Sequence, residues 1–216
     1  MVTTLHLRTL IFAAIFSVAA FAQNTNADGP YKVKYASNLN IGDSVINITN
    51  TGANGAGLGS GSTASVTGAI CANVYVYNAD EEIVTCCSCP VTPNGLVSLS
   101  AKTDLIANPL TPATPTSIVI KLLATVPVGG SCNGSALLAG TPTLANGLAA
   151  WGTTLHANTS AAAGTYSVTE TSFSSATLSA GELARLAYGC GVVANVGSGF
   201  GVCNSCRLGG LGAVKE

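Results

Sequence analysis

The sequence predicts a mostly β, sandwich-like single domain that carries one short C-terminal helix and is stapled by disulfides. Three observations lead to this fold class. Apolar and polar residues alternate in several segments, as they do in strands with one buried face. Turn-forming Gly, Pro and Asn residues separate these segments at short intervals. Eight cysteines, an even number, follow an N-terminal segment that has the features of an export signal.

Residues 1–22 form the predicted signal peptide. Arg8 precedes an apolar run, and the small residues Ala20 and Ala22 suit a signal peptidase. The run is about a dozen residues long, shorter than the roughly 20 that a membrane span needs. A retained anchor helix is the alternative. The remaining chain, 23–216, is then one β-rich domain in an extracytoplasmic location, which is the periplasm, the cell surface or the medium.

Period-two alternation and β-branched residues mark the predicted strands. Within the second of them, Ile46, Ile48 and Asn50 share one face. A stretch of Gly, Ser and Ala at 52–65 has too little apolar mass to order itself and is predicted to be a flexible loop. In chain order, the predicted strands are 31–35, 44–51, 69–77, 83–87, 96–101, 117–124, 149–156 and 165–173.

The clearest local unit is a hairpin in which the polar turn 78–82 joins the strands 69–77 and 83–87. Pro90 and the Pro-Asn-Gly turn at 93–95 are expected to end the pairing, because proline cannot donate to a strand ladder and Asn-Gly tolerates positive φ.

One helix is predicted near the C-terminus. Ser179 and Glu182 match a capping box, in which a serine side chain accepts a hydrogen bond at the start of a helix. A Gly- and Cys-rich tail, 191–216, follows. The predicted apolar face of the helix consists of Leu183, Leu186, Ala187 and Cys190.

The cysteines are the strongest signal in the chain. An even number in an exported protein favours disulfides, and four bridges allow 105 pairings, among which the sequence cannot choose. Cys86 and Cys87 are adjacent in a predicted strand, so their side chains should point to opposite faces, one into the core and the other to the edge or loop side. The eight predicted disulfide cysteines are Cys71, Cys86, Cys87, Cys89, Cys132, Cys190, Cys203 and Cys206.

Zinc is an alternative role for four of these cysteines. Cys86 and Cys89 form one C-x-x-C pair, and Cys203 and Cys206 form another, which is the spacing of a four-thiolate zinc site. The exported location and the long separation of the two pairs weigh against this reading. A redox-active C-x-x-C is a further alternative, although no thioredoxin-like βαβ pattern surrounds either pair.

The cysteine-rich hairpin also carries a resemblance. Residues 71–77, 80–82 and 86–96 are similar to the corresponding region of a family of uncharacterised, secreted, cysteine-rich bacterial proteins. The resemblance is centred on 71–96 and covers about a third of the chain at most. It implies a bacterial, extracytoplasmic origin, and it implies no activity and no functional residues.

Few residues suit catalysis. A triad of His156 with a serine and Asp43 or Asp104 is conceivable, but no Gly-x-Ser-x-Gly motif supplies a nucleophile elbow. The acidic cluster 80–82 is read as a solvated turn. A glycosidase carboxylate pair is the first alternative for it, and a calcium site is the second, for which the alternating ligand loop is lacking. We therefore predict no catalytic residue, no metal and no cofactor.

Charge narrows the functional classes. Lys and Arg number 8 and Asp and Glu number 9, so that charged residues make up 8% of the chain and the net charge is −1. No basic cluster is present, which argues against nucleic acid and anionic membranes as partners. We predict an exported structural or cell-surface protein without catalytic activity, in particular a self-assembling envelope or filament component. One version has strand 31–35 pairing with the sheet edge of a neighbouring copy, although the expected role of this segment is that of an ordinary first strand.

The alternative function is an extracellular module that binds carbohydrate or another surface polymer. Trp151, with Tyr75 or Tyr77, would then stack on sugar rings. The expected role of Trp151 is instead packing in the core.

Overall fold

The computed structural model describes residues 27–57, 67–134, 142–158 and 165–206. The predicted signal peptide lies outside these ranges, as do most of the predicted loop at 52–65 and the last ten residues of the predicted tail. In chain order, the elements are β1 (Tyr31–Ala36), β2 (Val45–Asn50), β3 (Ile70–Tyr77), β4 (Ile83–Val91), β5 (Leu96–Ser100), a π-helical turn (Ala101–Leu105), β6 (Ile118–Thr125), β7 (Leu148–Ala157), β8 (Tyr166–Ser172), β9 (Ser174–Ser175) and α1 (Ala180–Val196).

Two antiparallel sheets pack into a sandwich, which confirms the predicted fold class. Sheet A has the strand order β4-β3-β6-β1-β9, and sheet B has the order β5-β2-β7-β8. The chain passes from sheet B to sheet A at Phe173, whose N–H donates to the carbonyl of Ala150 on β7 at 2.9 Å before β9 begins. Each of the eight predicted strands is present, with ends that differ by a few residues.

The core lies between the two sheets, and alternation explains its composition. On β2, Ile46 and Ile48 are buried while Val45 on the opposite face is exposed. β3 is buried along its whole length. Sheet B covers one of its faces, and α1 together with the segment around the Cys71–Cys132 bridge covers the other. Val74 and Val76 belong to the cluster between the sheets, whereas Tyr75 and Tyr77 belong to a second cluster under the helix.

β1 is paired along its full length with β6, and its other edge meets β9 at Lys32 and Val33. It is thus an ordinary internal strand of the fold.

The prediction that Pro90 ends pairing is wrong. β4 continues to Val91, and Pro90 lies opposite Cys71 on β3. The reason is that β4 is an edge strand. The N–H of Cys86 points outward and donates to Gly201 at 2.9 Å, and Pro90, four residues further on, has the same orientation. Proline therefore lacks only an N–H that would have faced away from β3, which an edge strand tolerates.

Helix α1 begins as predicted. The side chain of Ser179 accepts a hydrogen bond from the N–H of Glu182 at 3.1 Å, and Gly197 ends the helix in the left-handed conformation that glycine favours. The first six residues of the predicted tail, 191–196, belong to this helix. Its buried residues are Leu186, Ala187, Cys190, Gly191 and Val193.

The eight cysteines form four disulfides, and no described cysteine is free. Cys86 points toward α1 and Cys87 points into the core between the sheets, so the two adjacent side chains lie on opposite faces as predicted. Three of the bridges join β4 to the C-terminal segment and are called the β4 bridges below. They are Cys86–Cys190, Cys87–Cys203 and Cys89–Cys206, and the fourth bridge is Cys71–Cys132.

Candidate functional site

The pairing of the cysteines leaves the zinc alternative without geometric support. Cys86 and Cys89 are three residues apart in a strand, so their side chains point to opposite faces of sheet A. They could not ligate the same ion, and each is bonded to a different partner. Four disulfides instead suit an oxidising, extracytoplasmic environment.

The candidate triad is not assembled. His156 is exposed on β7, and its Nε2 lies 2.8 Å from Oγ1 of Thr169 on β8. Asp43 and Asp104 both bind around Ser100 instead: Asp43 accepts from the Ser100 hydroxyl at 2.5 Å, and Asp104 accepts from the Ser100 N–H at 2.7 Å. Among the described residues, neither carboxylate forms a hydrogen bond or an ion pair with His156.

The two aspartates have a structural role that the sequence did not suggest. They secure the π-helical turn after β5, because Asp43 also accepts from the N–H of Lys102 at 2.9 Å and Asp104 also accepts from the hydroxyl of Ser205 at 2.7 Å. Carboxylates that accept from backbone N–H groups at the start of a turn are well-satisfied anchors. The one indication in the sequence that they meet is their position, since Asp43 precedes β2 and Asp104 follows β5.

The acidic cluster 80–82 lies in the turn between β3 and β4, as expected. Asn78 closes this turn, since its Oδ1 accepts from the N–H groups of Asp80 at 3.0 Å and Glu82 at 2.9 Å. Glu81 forms an exposed ion pair with Arg185 of α1 at 3.3 Å. The cluster thus helps to hold the helix against the hairpin.

A polar cluster also lies beneath α1. Lys121 on β6 donates to the carboxylate of Glu182 at 2.6 Å, and the hydroxyl of Tyr31 lies 3.5 Å from the same oxygen. Burial raises the pKa of Tyr31 far above its usual value, and the negative charge of Glu182 adds to the shift. Burial likewise raises the pKa of Tyr75. These phenols stay protonated at neutral pH, and the contacts of Glu182 with Lys121 and Tyr31 join α1 to sheet A.

The expectation that Trp151 packs in the core is wrong. Its side chain is 42% exposed, because its position on β7 places it on the outer face of sheet B while Leu148 and Ala150 point inward. Tyr75 and Tyr77 are buried under α1, on the other sheet. The structure therefore does not bring these tyrosines together with Trp151.

The outer face of sheet B surrounds Trp151 with hydrogen-bonding groups. Asn47 on β2 and Ser172 on β8 are its cross-strand neighbours. The amide of Asn47 donates to Glu170 at 3.2 Å and accepts from Ser98 at 2.7 Å. Next to Trp151 the face thus presents an amide, hydroxyls and the carboxylate of Glu170. The exposed side chains of Val45, Leu96, Tyr166 and Val168 lie on the same face.

The second distinctive surface is the edge of sheet B formed by β8. All seven residues of β8 are exposed, and within the described part of the chain its outer edge pairs with no other strand. The pairing with β7 is continuous over seven residue pairs, with no bulge. The strand contains no proline and no lysine, and Glu170 is its one charge.

The other sheet edges are shorter or covered. The outer edge of β4 receives the N–H of Leu110 at its Val84 carbonyl and donates to Gly201 from Cys86. β5 has five residues, and the outward N–H of its last residue binds Asp104. β9 has two residues. Strand edges without such protection are templates for pairing with another chain.

A shallow surface depression of about 280 Å³ lies between the linker before β6 and the π-helical turn. Leu39, Ile106 and Thr116 are among its lining residues, and the lining includes no carboxylate, histidine or cysteine. Within the described ranges, no three His, Cys, Asp or Glu side chains are grouped so that they could hold a metal ion. In those same ranges, α1 is not long and apolar enough to cross a membrane, and neither is any other helix.

Comparisons of this chain with models of protein families, with curated proteins and with solved structures find no match.

Proposed function

We propose that this protein is an exported structural or cell-surface component that assembles with copies of itself and has no catalytic activity. The observation that carries the proposal is the exposed edge of β8, which pairs with no other strand among the residues that the structure describes. The four disulfides fit an extracytoplasmic location. A surface with few charges fits close contact between copies, because it presents little like-charge repulsion.

Natural proteins usually guard the edges of their sheets. They do so with lysine, proline, bulges or very short strands, because a bare edge offers unpaired N–H and C=O groups to other chains. β8 uses none of these devices over its seven residues, whereas β4, β5 and β9 of this same chain are covered or short. Strand addition at β8 is therefore the self-association that this fold favours. It replaces β1 as the pairing strand, since β1 is internal.

The substitution Val168→Pro tests this proposal. The N–H of Val168 points away from β7, as the hydrogen bonds at both ends of β8 show, so proline removes no bond within the fold. It does remove a donor from the outer edge, and the dissociation constant for self-association should rise about tenfold or more. Sedimentation velocity over a concentration series, with negative-stain microscopy, measures the assembly.

Val168→Thr is the matched control, because threonine keeps both the β-branched shape and the N–H. It should assemble like the unchanged protein. Intact masses and thermal unfolding must show that all variants keep four disulfides and the fold. An unchanged protein that stays monomeric at high concentration contradicts the proposal, as does a Val168→Pro variant that assembles normally.

The exposure of Trp151 favours a second candidate function, which is binding of a neutral surface polysaccharide. An indole ring on a flat sheet face can stack on a sugar ring, while the neighbouring Asn47 and Ser172 can bind its hydroxyl groups. Such a face would suit a cell-wall glycan better than a charged ligand.

For this candidate, Trp151→Ala should weaken co-sedimentation with insoluble cellulose, a neutral glycan, about tenfold or more, because a tryptophan ring that the ligand covers carries much of the binding energy at such sites. Thermal unfolding should change little, since the side chain lies on the surface. Tyr188→Ala is the control, as this exposed aromatic lies on α1, away from sheet B. Equal retention of both variants by cellulose would reject the glycan site.

A further inference from the structure

The backbone of β8 is self-complementary, and the hydrogen bonds at its two ends establish which groups face outward. The N–H of Asn158 donates to the carbonyl of Thr165, and the N–H of Phe173 donates to the carbonyl of Ala150. Both bonds join this segment to the β7 side through odd-numbered residues of the segment, Thr165 and Phe173. Because the orientation of the backbone alternates along a strand, the even-numbered positions direct their N–H and C=O groups to the outer edge. These four residues are Tyr166, Val168, Glu170 and Ser172.

We infer that two copies of this protein pair through β8 in antiparallel orientation, about a two-fold axis at Thr169. The inference rests on the proposed function, and it adds the partner strand, its direction and its register. The paired sheets would form one continuous sheet in the order β5-β2-β7-β8 followed by β8-β7-β2-β5 of the second copy.

The direction follows from the hydrogen-bonding pattern. In an antiparallel pair, facing residues exchange two hydrogen bonds when both direct their backbone groups toward each other. A two-fold axis perpendicular to the sheet brings the outward residues of one β8 against those of the other. Parallel pairing would slant the bonds and give a slightly less stable ladder.

The register follows from counting pairs and from charge. With the axis at Thr169, Tyr166 faces Ser172 of the second copy and Val168 faces Glu170, so that all four outward residues of each strand are paired. Two hydrogen bonds for each of four facing pairs make eight. Moving the axis by one residue to Glu170 would place the two Glu170 carboxylates directly opposite each other, which is destabilising. Moving it to Val168 leaves Ser172 without a partner.

The two-fold axis also determines on which side of the joined sheet the outer faces of the two copies lie. An axis perpendicular to the sheet keeps the same face outward in both copies, so the two Trp151 rings would lie on one side of the joined sheet. The small Ser172 next to Trp151 would leave room for Tyr166 of the second copy. An isologous contact of this kind closes into a dimer. An extended filament would need a second contact elsewhere.

A cysteine at the axis tests the register. Thr169 would face its own counterpart in a non-hydrogen-bonded pair, with a Cα–Cα distance of about 4.5 Å, which is within the range of disulfides. Thr169→Cys should therefore form a covalent dimer under mild oxidation. Ser167→Cys is the matched control, since it would face Thr171 and lie about 13 Å from its own counterpart. Mixing the Ser167→Cys and Thr171→Cys variants should give the mixed dimer.

Non-reducing mass spectrometry of peptides identifies the new bridge and verifies that the four native disulfides are intact. A Ser167→Cys homodimer without a Thr169→Cys homodimer overturns this register. Absence of any cross-link, in a protein whose assembly is still sensitive to Val168→Pro, overturns the antiparallel β8 pair and leaves the proposed function standing. Absence of both cross-links and assembly overturns the two together.

Discussion

Removal of all three β4 bridges is expected to unfold the protein, whereas removal of any one of them is not. The bridges span 104, 116 and 117 residues. In the chain-entropy model, a first bridge across a loop of about 100 residues contributes about 4.7 kcal/mol by restricting the unfolded chain. Whichever of the three bridges closes first therefore contributes most to the free energy of unfolding.

The other β4 bridges contribute less, because the three bridges interleave along the chain and closing one of them shortens the loop that the next one closes. Once Cys87–Cys203 is closed, the Cys86–Cys190 bridge closes a remaining loop of only about 15 residues, which corresponds to about 3 kcal/mol. The Cys89–Cys206 bridge closes a loop of about five residues and contributes about 2 kcal/mol on the same model. Together the three reach about 10 kcal/mol, similar to the whole stability of a typical domain, 5–15 kcal/mol.

The overlap of these loops produces an order of effects that the spans alone would not suggest. The Cys71–Cys132 bridge spans only 61 residues, but no other bridge shortens its loop. Its loss should cost about 4 kcal/mol, more than the loss of Cys86–Cys190 or Cys89–Cys206.

Urea unfolding of the double-alanine variant of each bridge, and of the fully reduced and alkylated protein, measures this order. A ranking that follows the spans, with Cys89–Cys206 as the costliest single loss, would contradict the account based on overlapping loops.

The second large effect is expected at Asn50, which joins the two sheets. Its side chain is fully buried at the end of β2, with its Nδ2 donating to the carbonyls of Gly68 and Val91 at 2.9 Å each. Its Oδ1 accepts from the N–H of Gly52 at 2.9 Å. Alanine at this position removes three hydrogen bonds to backbone groups, and a buried polar group left unsatisfied costs about 1–3 kcal/mol.

We expect Asn50→Ala to lower the free energy of unfolding by about 3 kcal/mol or more. Asn47→Ala is the control on the same strand. Asn47 lies on the outer face, where water can replace its bonds to Ser98 and Glu170, so the loss should stay below about 1 kcal/mol. Urea unfolding of both variants measures the difference. Similar losses in the free energy of unfolding for the two variants would show that the hydrogen bonds of Asn50 between the sheets contribute little to stability.

The elements that were predicted correctly depend on short stretches of sequence. The alternation around Ile46 and Ile48 marks β2 and its buried face, because side chains in a strand point alternately to its two sides. The start of α1 at Ser179 follows from the capping chemistry of four consecutive residues. The opposite directions of Cys86 and Cys87 follow from the same alternation.

The errors arose where a residue's role depends on the neighbours of its strand. Pro90 is tolerated because β4 is at the edge of sheet A, and the position of a strand in a sheet is not a property of the strand itself. Trp151 alternates with buried residues on β7, but the sequence did not indicate which side of that strand faces the other sheet. Asp43 and Asp104 meet at Ser100 because β2 and β5 are paired.

By itself, the sequence thus determined the strand content, the helix start and an even set of cysteines with the chemistry to form bridges. These follow from interactions within a few residues. The disulfide partners, the exposure of Trp151 and the open edge of β8 were decided only by the tertiary structure. Each depends on which distant segments become neighbours, and that choice minimises the free energy of the whole sandwich. The proposed self-association rests on the edge position of β8, which is set by how the other strands pair and not by the sequence of β8 itself.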